Sequence, residues 1–266
     1  MKRENVIAVG AIFASVLVGL IALLLPTPPE SQVGWLLFHA PLALTLMYGC
    51  LHIGSAILFL TSLGAYKSEL RRVYIAISAG IVVLALGTLQ VAIIAAFNWW
   101  NTPWAMDGYI VVPFLAAGMI VYIGARGLGK LIGIKSLLVR SSAVLPSVFI
   151  TSLLVIFIPH PTPTTTLIAY DASNIITTWT MLMFLAAGLT FVAITRHIGA
   201  HYKAAMGWLS GGFISATLVL ACAVGHTIVA PNVTNDTFSI ITDFIGVIAG
   251  LVYVRAAYEF AKTKDL

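Results

Sequence analysis

The chain has 266 residues, of which 60% are hydrophobic and only 9% charged, with a formal charge of +5. Soluble domains carry about 25% charged residues, so this composition excludes a soluble globular protein and points to a bilayer. The excess of basic residues is read through its distribution, which reports topology; it does not indicate a nucleic-acid partner.

The N-terminus is basic and then apolar, reading MKRENVIAVGAIFASVLVGLIALLLP. Its apolar part is about 20 residues long, which suits a membrane span better than the h-region of a signal peptide, about 7–15 residues. Eight apolar runs are long enough to cross: 5–25, 34–63, 73–97, 109–125, 138–158, 175–195, 206–230 and 238–260. They are continuously apolar and do not alternate, so helices are expected and a β-barrel is not. The expected fold is all-α, a polytopic bundle of about eight transmembrane helices forming one integral membrane domain over 1–266. Within it, residues 1–200 make a six-span core and 204–266 an additional C-terminal hairpin.

The fourteen basic residues fall before span one (Lys2, Arg3), between spans two and three (Lys67, Arg71, Arg72), between four and five (Arg126, Lys130, Lys135, Arg140), between six and seven (Arg196, Lys203), and at the end (Arg255, Lys262, Lys264). The alternate loops 26–33, 98–108, 159–174 and 231–237 contain none. The positive-inside rule then makes both termini cytoplasmic, which requires an even number of spans and places the protein in the cell membrane. Among the external loops, 159–174 carries Pro159, Pro161 and Pro163, which favour extended backbone. The fourth holds two consecutive glycosylation sequons, at Asn232 and Asn235.

Two cysteines, Cys50 and Cys222, lie in apolar runs and form no CxxC or CxxCH, so no thiolate metal site and no covalent heme attachment is expected. Of the six histidines, His197 and His201 have the i, i+4 spacing of a helical metal pair but sit in a basic loop without a third ligand, which favours a solvated segment. His39 and His160 lie at the outer mouths of spans two and five. Between them falls the segment Asn98–Asp107, NWWNTPWAMD, with Trp99, Trp100, Trp104 and the acid Asp107. Two neutral imidazoles can hold both axial positions of a heme iron, and tryptophans suit a flat apolar macrocycle. The same tryptophans also fit an aromatic interface belt. His52, thirteen residues after His39, lies about 20 Å deeper along one helix and about 220° around it, so the two should not serve one ligand. His52 and His226 are intramembrane, where polar groups are costly. Asp243, near the outer end of the last span, is a solvated end or a partner for His226.

This order of features resembles the heme-handling membrane proteins of cytochrome c maturation, particularly CcmC, whose external loop reads WGxWWxWD between two external histidines. Trp100, Trp104 and Asp107 fit that frame; Asn101 stands in place of its glycine, and Pro103 and Met106 in place of tryptophans. His39, in FHAP, looks like the first external histidine and His160 like the second. An eight-span count is closer to the related CcsA-type proteins, for whose intramembrane histidines His52 and His226 are loose counterparts. The resemblance implies a protein that binds b-type heme non-covalently, with His39 and His160 on the iron, and passes it to a heme chaperone or apocytochrome c, a heme-transfer protein more than a catalyst. From the residues themselves two alternatives stay open. One is a b-type cytochrome or quinol-binding subunit of a respiratory complex, using His52 and His226. The other is a structural membrane subunit without heme.

Overall fold

The computed structural model describes residues 3–25, 35–63, 68–96, 107–134, 167–229 and 235–263. These form seven helices: α1 (Arg3–Leu23), α2 (Trp35–Ser62), α3 (Ser68–Ala96), α4 (Asp107–Leu131), α5 (Leu167–Thr195), α6 (Ala200–Val229) and α7 (Asn235–Thr263). All seven are long and apolar enough to cross a membrane. The expected run 138–158 lies outside the described residues.

The helices overrun the apolar segments that announce them. Arg71 and Arg72 lie inside α3, Arg126 and Lys130 inside α4, and Lys262 inside α7. Continuing the helix satisfies each backbone amide internally, and long basic side chains reach water from a helix end. For the same reason α5 begins at Leu167, so residues 167–174, expected in an external loop, are helical once Pro163 and the threonines are passed. The sequon at Asn235 opens α7, while Asn232 lies outside the described residues. The basic loop around His197 is a tight turn from Arg196 to Gly199 between α5 and α6. His197 bonds back to the Ala193 carbonyl at 2.9 Å and closes the end of α5. With His201 already in α6, the i, i+4 helical pair does not form.

Helices α2 to α7 form a closed ring: each packs on the next in sequence, and α7 returns to α2. The C-terminal hairpin α6–α7 is thus built into the same core as the earlier helices. Helix α1 stands outside this ring, packed along α2 with a light touch on α7. Its outer face, with Phe13, Leu17 and Leu20, is exposed, as are Ile57 of α2, Met119 of α4 and Phe244 of α7. Meanwhile Thr45, His52, Ser55, Ser78 and Thr190 are buried. Apolar outside and polar inside is the arrangement a bilayer selects.

Contacts fix the direction of each helix. Gly54 meets Ala11 and Gly19 meets Met47, so α1 and α2 are antiparallel. Gly127 meets Val73 and Gly87 meets Pro113, so α3 and α4 are antiparallel. Helices α2 and α3 are likewise antiparallel: Gly49 lies on Thr88, while Phe59 and Tyr74 both touch Phe260. Helix α7 runs parallel to α2, because Gly246 lies on Tyr48, Gly250 on Leu51 and Phe260 on Phe59. It is antiparallel to α6, with Tyr253 against Gly212 and Arg255 over Trp208. Since α5 and α6 form a hairpin, α4 and α5 point the same way, although they are consecutive among the described helices. In this arrangement the nine described basic residues, Arg3, Arg71, Arg72, Arg126, Lys130, Arg196, Lys203, Arg255 and Lys262, lie toward one end of the bundle. That end is called basic below, and the other the acidic-aromatic end.

Close approach of α2 and α7 rests on Gly246 and Gly250, four residues apart. A Cβ on Gly250 would stand 2.8 Å from the Leu51 Cβ, and one on Gly246 3.3 Å from the Tyr48 ring. Lipid tails give helices no hydrophobic drive to associate, so this kind of small-residue seam supplies the packing. Around it, Phe213 stacks with Phe184 and Phe191 at 5.8 and 5.7 Å and meets Tyr253 edge-on at 5.1 Å.

Candidate functional site

At the acidic-aromatic end, α1 finishes beside the start of α2. His39 is fully buried there, and its Nδ1 lies 3.1 Å from the Ala22 carbonyl oxygen. A carbonyl can only accept, so Nδ1 carries the proton and donates; in the neutral ring the lone pair is then on Nε2. This bond also satisfies one of the terminal carbonyls that α1 leaves without a helical partner. Ala22, Leu42 and Ala43 pack around it as a small apolar cluster. His39 is therefore at the end expected for it, but in the α1–α2 wedge instead of on an open surface.

Ala96 and Asp107, the flanks of the Trp-rich segment, are at this same end, as are Leu167, Val229 and Asn235. Asp107 is the first residue of α4. Trp99, Trp100, Trp104 and His160 lie outside the described residues.

His52 is buried deeper on α2. Its Nδ1 donates to the Tyr48 carbonyl at 2.9 Å, one turn back. Its Nε2 is buried without a hydrogen-bond partner, and so is the hydroxyl of Tyr253, whose ring lies 5.1 Å away across the seam. Tyr48 meets the other side of the imidazole edge-on at 4.1 Å. His226 is far from this group. Gly212 of α6 packs on Tyr253, and His226 follows fourteen positions later, about 21 Å along the helix. The structure does not bring His52 and His226 to one iron.

Above His52, all six ring helices contribute to an internal cavity of about 120 Å³. Its polar lining is Thr45 and Tyr48 from α2, Thr88 from α3 and Asp243 from α7; Phe114 and Phe184 close it on the far side. The Thr45 hydroxyl donates to the Asp243 carboxylate. Thr88 gives its own proton to the Leu84 carbonyl at 2.9 Å, so its oxygen accepts from the Tyr48 hydroxyl. Asp243 thus faces Thr45 across the α2–α7 seam. His226 lies six positions beyond Leu220, a lining residue of α6, or about 9 Å farther along. A cavity of this size takes a few waters or a small ion, far below the roughly 300–1,000 Å³ that drug-sized ligands need. A quinone ring or porphyrin does not fit it.

Reading the sequence singled out His52 and Asp243 separately and missed Thr45, Tyr48, Thr88 and Tyr253. One signal was available: Thr45, Tyr48, His52 and Ser55 repeat at helical spacing on one face of α2, and Asp243, Gly246, Gly250 and Tyr253 do so on α7. Among the described residues no three His, Cys, Asp or Glu side chains come together to hold a metal ion. Comparison with protein-family models, curated proteins and solved structures gave no match, so the likeness to the heme-handling family rests on the residues quoted above.

Proposed function

We propose that the chain is an eight-span protein of the cell membrane with both termini cytoplasmic, which binds heme at its outer face and hands it to a heme chaperone or apocytochrome c. Two observations support the topology. The described basic residues share one end, as cytoplasmic ends do. Helices α4 and α5 point the same way, which is the relation an eight-span count expects of two helices separated by the stretch between Ile134 and Leu167. That stretch holds the apolar run 138–158.

The observation that carries the heme reading is the state of His39. Its Nδ1–H is fixed on a backbone carbonyl at the outer end, the orienting contact that imidazole ligands of metals use. His160 would be the second residue to hold the iron, Trp99, Trp100 and Trp104 would hold the macrocycle, and Asp107 would orient the loop or partner. When bound, heme would supply an iron centre that can be passed to a recipient. Because His39 is buried beside Ala22 at the end of α1, iron binding there would need that end of the helix to give way. Helix α1, held along α2 alone but for a light contact, is the helix best able to do so.

The test is an absorption spectrum of the purified protein with and without added heme. A Soret band is expected, lost in His39→Ala and in His160→Ala and kept in His52→Ala. No Soret band after heme addition, or a band indifferent to His39 and His160, refutes the reading.

A further inference from the structure

The interior of the ring holds a carboxylate that the heme reading does not use. We propose that the cavity between Thr45, Tyr48, Thr88 and Asp243 is a binding site for one small monovalent cation, a proton or an alkali ion, which exchanges with the outer side of the membrane. An ionised carboxylate at membrane depth is costly unless it is paired. Among the described residues the hydrogen-bond partner of Asp243 is a neutral hydroxyl, that of Thr45. The described fixed cations are at the other end of the bundle; on the same helix Arg255 is twelve residues away, about 18 Å. Among the described residues, Tyr48 is the one other titratable group lining the cavity: α3, α4, α5 and α6 contribute Leu84, Val91, Thr88, Phe114, Phe184 and aliphatic side chains. The negative charge is therefore balanced by a cation that comes and goes, and the cavity has the oxygens to hold it: a carboxylate and three hydroxyls. Hard oxygen donors with a single charge suit a proton or alkali ion; transition metals prefer nitrogen and sulfur ligands.

The direction of exchange follows from depth. Asp243 is eight residues from the start of α7 and twenty from its end, so the outer surface is about 12 Å away and the basic surface about 30 Å. Toward the basic end the next polar groups are His52 Nε2 and the Tyr253 hydroxyl, with Ser55 and Ser78 also buried among the helices. Beyond them Phe59, Phe260 and Tyr74 close on one another at 5.4 and 5.2 Å, with Phe213 against Tyr253. The outer surface is the nearer one and aromatic rings lie across the longer route, which suits a loading site more than a channel.

The experiment uses the full chain in lipid nanodiscs. Infrared difference spectra during pH cycling should show the carbonyl stretch of a protonated carboxylic acid that titrates reversibly with bulk pH and disappears in Asp243→Asn. If the cation is an alkali ion as well, sodium but not choline shifts that titration to lower pH, and radioactive sodium binds at one per chain and is lost in Asp243→Asn. If proton alone, sodium has no effect on a titrating band; both results support the site. Thr45→Val keeps the side-chain volume and removes the bond to the charged form, so its proton affinity should rise about tenfold, a charge-assisted bond's worth; this variant decides the matter if Asp243→Asn fails to fold. A carboxylic band that neither pH nor sodium moves, no Asp243-dependent band together with no bound sodium, or an unshifted titration in Thr45→Val overturns the proposal. Heme is absent from every arm, so the outcome is independent of the heme reading.

Discussion

Replacing Gly250 by alanine tests the seam that holds α2 against α7, and with it the placement of His52 and Thr45 opposite Tyr253 and Asp243. The added methyl would stand 2.8 Å from Leu51 Cβ and 3.1 Å from its Cδ1. Cβ cannot rotate away, so relief requires the helices to part, which opens voids along the whole contact. Overpacking of this kind costs about 1–3 kcal/mol, and alanine's better helix propensity recovers at most about 1 kcal/mol. The expected net loss is about 1–2 kcal/mol, near a tenfold change in the unfolding equilibrium. Reversible unfolding in mixed micelles, followed by tryptophan fluorescence, measures it. Gly246→Ala, whose methyl meets the Tyr48 ring at 3.3 Å, should lose less, and Gly207→Ala, with open space around the new methyl, should lose nothing. A second substitution sharpens the argument. Leu51→Ala should not rescue Gly250→Ala, because alanine keeps the offending Cβ, whereas Leu51→Gly should restore part of the loss; the coupling is read from the double-mutant cycle. Gly250→Ala as stable as the parent, or rescued by Leu51→Ala, would sink the assignment of Gly250 to a close helix contact.

Phe213→Ala empties the centre of the ring stack formed with Phe184, Phe191 and Tyr253, and should cost about 3 kcal/mol in the same unfolding assay. Tyr253→Phe removes a buried hydroxyl that has no partner, so stability should hold or rise by up to about 1 kcal/mol; a clear loss would mean the hydroxyl is bonded. Ser210→Ala breaks the one bond that α6 sends to the Gly188 carbonyl of α5, at 2.9 Å, for which membrane proteins lose about 0.6 kcal/mol on average. In a Cys50→Ser, Cys222→Ser background, Lys203→Cys should react with impermeant maleimide only from the cytoplasmic side, and Asn235→Cys only from outside; the reverse pattern would invert the topology.

Much of this architecture is legible in the sequence because hydropathy is a local quantity. Seven of the eight apolar runs correspond to described helices, with ends displaced by up to eight residues, since twenty apolar residues have few structures available in lipid. The one-sidedness of the basic residues follows from the same local pattern: α1, α3, α4, α6 and α7 carry theirs toward one end, and Arg196 follows α5 there. Helix ends were less legible: a run of apolarity marks the membrane, while hydrogen bonding carries α3 back to Ser68 and α5 back to Leu167.

Composition by itself determined the class of the protein, its spanning segments and the end on which charge collects. Which helix meets which was decided only in the tertiary structure, because helices of equal hydropathy look alike to lipid and pair by shape. Small residues at Gly246 and Gly250 bring the last helix to the second. That approach sets Asp243 opposite Thr45, nearly two hundred positions earlier, and buries His39 under the end of α1 where a reading of the sequence leaves it at an open mouth.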